Sequence, residues 1–238
     1  MTVMLPVDDD LLTMATTIPP RRRPTVVLIH GLYMNSLCMR PLGRRLHRGG
    51  FRVRYFVYPT LCCATRDSAD ALLEMLRSLT DSEVYLVGHS LGGLVLRHLP
   101  ALTDQIPATR MLTLATPHQG SSVVRRLSAG PGRWLFGKSL DAGLLGGLPV
   151  WPAHWELGSL AGTQAAGVGC LLKLLDEPCD GTITVAETLL DGMRDHICLP
   201  RSHANMLFCP EVAAQVQCFL NRGCFAPQAH TLGGIMAG

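Results

Sequence analysis

The pentapeptide Gly88-His89-Ser90-Leu91-Gly92 stands between an apolar stretch, Val84 to Val87, and a helical one that runs to Leu99. That placement restricts the fold more than any other feature of the chain. A serine held at a tight strand-to-helix bend needs a strained backbone, and glycine two residues to either side removes the Cβ atoms that would collide across the bend. A strand feeding directly into a helix is also the repeating joint of a parallel sheet covered on both faces.

The neighbouring segments keep that rhythm. Thr25 to Ile29 is a short β-branched run that stops at His30-Gly31, and Phe51 to Tyr58 alternates as a second strand. Between them, residues 39–49 set Leu42 and Leu46 four apart and close on Gly49-Gly50, a helix stop. Asp67 or Ser68 can cap a helix holding Leu72, Met75, Leu76 and Leu79; Ser90 to Leu99 reads as the next helix and Met111 to Leu114 as a strand. From about Ser121 to Trp155 the rhythm breaks, with many glycines, Pro131, Pro149, Pro152 and all three tryptophans, which predicts an insertion over the carboxyl edge of the sheet. Strands are expected at Leu157 to Ala161, Thr182 to Val185 and Asp195 to Leu199, and a closing helix at about 206–221. The expected architecture is an α/β fold, a mostly parallel sheet with helices on both faces and a cap-like insertion. One domain is expected at residues 25–225 with the insertion at about 121–155, preceded by an extension at 1–24 and followed by a tail at 226–238.

Bulk properties narrow the partners. Apolar residues are 47% of the 238 and charged ones 16%, which argues for a buried core and against wholesale disorder. A net charge of +3 does not point to nucleic acid. The positive charge clusters at Arg21 to Arg23 and at Arg40, Arg44, Arg45, Arg48, Arg52 and Arg54; a solvated face is the expected reading, an anionic contact the alternative. Nine cysteines, an odd number that includes the adjacent Cys62-Cys63, read as reduced thiols of a reducing compartment, and no Cys–His spacing suggests zinc. The opening segment carries Asp8, Asp9 and Asp10 where a secretory signal has a basic start, and no charge-free apolar run reaches the ~18 residues of a spanning helix. A cytoplasmic location is the expectation.

The chemistry of the chain is that of a nucleophilic serine. The first amides of the helix after Ser90 lack internal partners, so Leu91 can offer one donor to an oxyanion; the loop after the first strand, His30-Gly31-Leu32, offers the second from Leu32. His30 is expected to shape that loop. A base must arrive from a loop after a late strand, which favours His203, with His196 inside the strand as its rival. The orienting acid should lie between serine and histidine, and Asp180, beside Gly181, fits best; Asp176, Glu177, Asp191 and Asp195 are its rivals. His118 reads as a loop residue or a substrate contact, and Trp134, Trp151 and Trp155 as core or as the lining of an acyl pocket. No metal or cofactor is called for.

Four separated motifs resemble the bacterial lipase and esterase branch of the α/β hydrolases, over roughly residues 25 to 222. Val-Leu-Ile-His-Gly-Leu at 27–32 is similar to their oxyanion loop, and Gly88-His89-Ser90-Leu91-Gly92-Gly93 to their nucleophile turn. Thr116-Pro117-His118-Gln119-Gly120-Ser121 resembles the loop after their next strand, and Ser202-His203-Ala204-Asn205 the segment with their catalytic histidine; Asp180-Gly181 resembles their acid turn. The resemblance implies a serine hydrolase acting on a small-molecule carboxylic ester or thioester through an acyl-enzyme. The chain shows no acidic cluster like the calcium site of secreted lipases, which turns the expectation toward an esterase or thioesterase. Acyl transfer on the same triad, or a binding protein that keeps the fold without turnover, are the alternatives.

Overall fold

The computed structural model describes residues 23–227 apart from 82, 142, 168, 170–173, 176 and 177. The expected extension up to residue 22, Arg21 and Arg22, the rival acids Asp176 and Glu177, and the tail from 228 lie outside the described residues. Among the described residues six strands form one sheet: β1 (Thr25–Ile29), β2 (Arg52–Phe56), β3 (Val84–His89), β4 (Arg110–Leu114), β5 (Leu157–Gly162) and β6 (Asp195–Leu199). Their order is β2-β1-β3-β4-β5-β6 and every pairing is parallel.

Period-two alternation in β1 explains the layers. Val26 and Leu28 point into one apolar cluster, with Met39, Leu42 and Leu46 of α1 (Ser36–Arg48) and Val212, Val216 and Phe219 of α5 (Pro210–Arg222). Val27 and Ile29 point to the opposite cluster, with Leu72 and Leu76 of α2 (Thr65–Arg77) and Leu94 and Val95 of α3 (Leu91–His98). Both faces of the central strands are therefore buried, which is why they read as unbroken apolar runs. The edge strand β2 instead exposes Arg52 and Arg54, whose charges protect an open edge. Arg40, Arg44 and Arg48 are exposed as well; Arg45 differs, donating to the carbonyl of Phe208 at 2.9 Å.

Several boundaries move from their sequence positions, each for a local reason. Helix α1 starts at Ser36 because the Asn35 side chain accepts the Leu37 amide at 2.9 Å. Helix α2 starts at Thr65, so Asp67 and Ser68 fall in its first turn rather than at its cap. The closing helix begins at Pro210, after a separate 3-10 turn at Asn205–Phe208, since proline is suited to the first helical position.

The strand expected at Thr182 to Val185 is not a member of the sheet. Only a single bridge, Cys179 to Thr184, forms there, followed by a 3-10 turn at Ala186–Thr188. Gly181 adopts φ +94° and the Asp180 carboxylate takes the amides of Thr182 and Ile183, so those donors are unavailable to a ladder. Between β4 and β5 lies the expected break in rhythm, which is more ordered than a loop. It holds α4 (Ser122–Ser128), capped by the Ser121 hydroxyl, and a 3-10 stretch at Pro131–Ser139. This segment packs over the carboxyl ends of the strands, anchored where the Lys138 amide meets the Leu61 carbonyl at 2.9 Å.

Candidate active site

Ser90 occupies the joint between β3 and α3 with φ 53° and ψ −119°, a conformation that costs a non-glycine residue about 1–3 kcal/mol. Three hydrogen bonds hold it there. Its amide donates to Leu114 at 2.8 Å, and its carbonyl accepts from the Gly93 amide and the Thr116 hydroxyl, both at 3.0 Å. The bend is also crowded: a Cβ added to Gly88 would lie 2.6 Å from the Gly93 amide nitrogen. Thr116, in the segment following β4, thus helps fix a serine 26 residues earlier in the chain.

The loop after β1 lies directly against this turn. A Cβ at Gly31 would stand 3.1 Å from the Ser90 Cβ, so only a glycine lets the loop approach so closely without displacing it. His30 is buried and shapes the loop, as expected: its Nδ1 meets the Gly31 carbonyl at 3.0 Å and its ring stacks on Tyr58 at 4.6 Å. Burial lowers its pKa. The Tyr58 hydroxyl donates to the His30 carbonyl at 2.8 Å, a support that the sequence did not announce. Leu32 follows, half-buried, and Leu91 is the first residue of α3, where a backbone amide has no intrahelical acceptor.

On the far side of the sheet edge, Asp180 and His203 come together. Asp180 is 1% exposed; its Oδ1 accepts from the amides of Thr182 at 2.9 Å and Ile183 at 2.7 Å, while Oδ2 lies 2.7 Å from His203 Nδ1. With its carboxylate acting as acceptor, the proton belongs on Nδ1 and the lone pair on Nε2. The His203 amide also donates to the Asp180 carbonyl at 3.0 Å. Ser90 Oγ makes no hydrogen bond to His203 in this structure; the two side chains meet as walls of one cavity, and such a link commonly tightens only when substrate is bound.

That cavity, of about 560 Å³, is lined by Leu32, Ser90, His203 and Ile183 on the domain side, and by Val124 and Leu127 of α4 on the other. Trp134, 77% exposed, and Leu135 stand at its border, and the Tyr33 hydroxyl donates to the Leu135 carbonyl. The tryptophans therefore divide. Trp134 borders the cavity, whereas Trp151 is buried and packs edge-on against Trp155 at 5.8 Å, away from it. Glu187 joins the turn after Asp180 to the segment between β4 and β5, accepting the amides of Thr184 and of Ser122 at the start of α4.

The rival residues sit elsewhere. His196 Nε2 meets the Thr188 hydroxyl at 3.0 Å, and Asp195 accepts the Phe225 amide at 2.7 Å. Asp191 is exposed and borders a separate cavity. His118 is buried between the Thr113 hydroxyl at 3.0 Å and Arg97 at 3.4 Å; burial, with the charge of Arg97 adding, pushes its pKa down to about 3. It is a structural loop residue and does not line the Ser90 cavity. Cys62, Cys63 and Cys209 are free thiols. Among the described residues no three His, Cys, Asp or Glu side chains are grouped to hold a metal, and no helix is long and apolar enough to cross a membrane.

The fold recurs in solved structures of a lipase and of carboxylesterases. Bacillus licheniformis lipase BlEst2, in its propeptide form, superposes with a TM-score of 0.66 at 19% identity, over 91% of this chain and 53% of its own. This chain thus spans about half the length of that lipase. The metagenomic carboxyl esterase MGS0156 gives 0.58 at 16% identity, over 78% and 66%. Bacillus subtilis carboxylesterase CesB gives 0.57 at 16%, over 86% and 85%. At such identities the likeness is one of fold. No curated protein matches the chain in sequence. The model of the "Alpha/beta hydrolase family", however, matches residues 26–222 continuously, and it is by this match, spread over the whole sheet, that the chain belongs to the α/β-hydrolase family.

Proposed function

We propose that this α/β hydrolase cleaves a carboxylic ester or thioester through an acyl-enzyme on Ser90. The observation that carries the reading is the 2.7 Å contact of His203 Nδ1 with the buried Asp180, at the edge of an apolar cavity that Ser90 also borders. Asp180 keeps the imidazole in the tautomer whose Nε2 is free, and stabilises the imidazolium that forms when His203 takes the Ser90 proton. Ser90 Oγ then adds to the acyl carbonyl, and the amides of Leu91 and Leu32 receive the oxyanion. Collapse expels the alcohol or thiol, protonated by His203. Water, activated by the same base, releases the acid and regenerates the serine. The apolar walls at Val124, Leu127 and Ile183 suit the hydrocarbon part of an acyl group.

The test is hydrolysis of nitrophenyl esters of graded acyl length by the protein and by Ser90→Ala, with labelling by a serine-directed phosphonate. Turnover that disappears with Ser90→Ala, and stoichiometric labelling of Ser90, are expected. Activity surviving the substitution would remove Ser90 as nucleophile. No turnover and no labelling for any ester or thioester would favour a binding role.

A further inference from the structure

His89 stands immediately before the nucleophile and takes no part in the steps above, yet its ring is buried inside the site, 1% exposed. Its Nε2 lies 3.0 Å from the backbone carbonyl oxygen of His203, 114 residues away. A carbonyl only accepts, so Nε2 carries the hydrogen and donates it. The two rings are 4.9 Å apart, centroid to centroid. The main chain of His203 is therefore held at both ends: its N–H by the Asp180 carbonyl at 3.0 Å, its C=O by His89.

Nothing else among the described hydrogen bonds ties the nucleophile turn directly to the base loop. Asp180 sets the rotation of the imidazole, but it belongs to the late segment of the chain, as His203 does. Ser90 instead follows the central strand β3 directly. Without a bond across that gap, the Asp180–His203 unit could shift as a body relative to Ser90 while keeping its own geometry. We infer that His89 is a positioning residue: by bonding the main chain of His203 from within the nucleophile turn, it sets the distance between the base and Ser90. Burial, followed by the charge of His203, pushes the pKa of His89 down to about 3, so the ring stays a neutral donor and puts no charge beside a forming imidazolium. This role rests on the reading of Ser90 and His203 as nucleophile and base.

The experiment compares the protein with His89→Gln, His89→Leu and His89→Asn. A glutamine can present an N–H near the place of Nε2; leucine fills volume without a donor, and asparagine is a donor that is too short. kcat, KM, the rate of phosphonate labelling and the thermal midpoint are measured, with the proton resonance of His203 Nδ1–H by NMR. For His89→Leu and His89→Asn, kcat and the labelling rate fall together, roughly 10- to 100-fold, as expected for a base displaced by a fraction of an ångström to one ångström, with KM within about twofold. His89→Gln restores most of both. Should His89→Leu lower the thermal midpoint, the Gln–Asn pair carries the comparison. Wild-type kcat in both Leu and Asn variants, or equal losses in Gln and Asn at equal thermal midpoints, would overturn the role. If the unaltered protein turns over no ester, the hydrolase reading fails on its own; the His203 resonance still reports on the contact, and a signal identical in all four proteins would sink it.

Discussion

One methyl group added at Gly92 tests whether the site depends on how closely α3 lies against the end of β1. Built on the native backbone, the new Cβ meets the Ile29 carbonyl oxygen first and stands 2.6 Å from the His30 carbonyl oxygen. Ordinary contact begins at 3.4 Å, so the turn or the loop must retreat by about 1 Å. β1 is paired on both sides, to β2 and β3, so the movement falls on the start of α3 and on the loop at residues 30–32. Those are the segments that carry the Leu91 and Leu32 amides. Overpacking of this kind costs about 1–3 kcal/mol of stability, and each kcal/mol lowers the thermal midpoint by about 2–4 °C for a chain of this size. Misplacing one oxyanion donor costs a further 3 kcal/mol or so in the barrier, about 100-fold in kcat. The assay is kcat and KM for nitrophenyl butyrate with Gly92→Ala, alongside thermal unfolding by circular dichroism. Full kcat with a midpoint within about 1 °C of the parent would refute the close-packing argument. A loss confined to KM would refute the link from packing to the oxyanion amides.

Three other perturbations read different parts of the structure. Asp180→Asn keeps the acceptor for the Thr182 and Ile183 amides but turns an amide toward His203 Nδ1, favouring the wrong tautomer; kcat falls roughly 10⁴-fold at an almost unchanged thermal midpoint, and a loss under tenfold would remove Asp180 from its role. His89 and His118 are both held down to about 3 from an ordinary 6.5, so between those values the unfolded chain binds protons that the folded chain rejects. Their contribution to stability is complete above pH 6.5 and is lost as pH falls toward 3, by up to about 1.4 kcal/mol per pH unit per ring; thermal midpoints equal at pH 7 and pH 4 would contradict this. Leu127→Trp fills part of the cavity, and should lower kcat/KM for octanoyl esters roughly tenfold or more while sparing acetyl esters. An equal loss for both would mean that the cavity does not hold the acyl chain.

The elements legible in the sequence were those whose own side chains decide them. The apolar run of β1 emerged with its expected ends, and those of β3 and β4 and the amphipathic faces of α1, α2 and α5 with ends displaced by a few residues, because the Asn35 cap and the first-turn Pro210 lie outside the apolar period. The segment at 182–185 misled because the amides of Thr182 and Ile183 are taken by the Asp180 side chain two and three residues back, a local turn that outweighs the β-branched preference. His89, Tyr58 and Glu187 went unnoticed for a related reason: the partner of each is a main-chain group distant in sequence, and no spacing rule announces such a bond.

The sequence by itself determined the sheet-and-helix alternation, the strained serine turn and the set of groups available for chemistry, since backbone strain, glycine and apolar period are properties of neighbours along the chain. Only the tertiary structure decided which carboxylate faces which imidazole, that Trp134 borders the cavity while Trp151 is core, and that α4 lines the cavity that Ser90 borders. Those outcomes depend on the register of six strands and on bonds such as that from the His89 ring to the His203 carbonyl, 114 residues away, distances over which local preference carries no information.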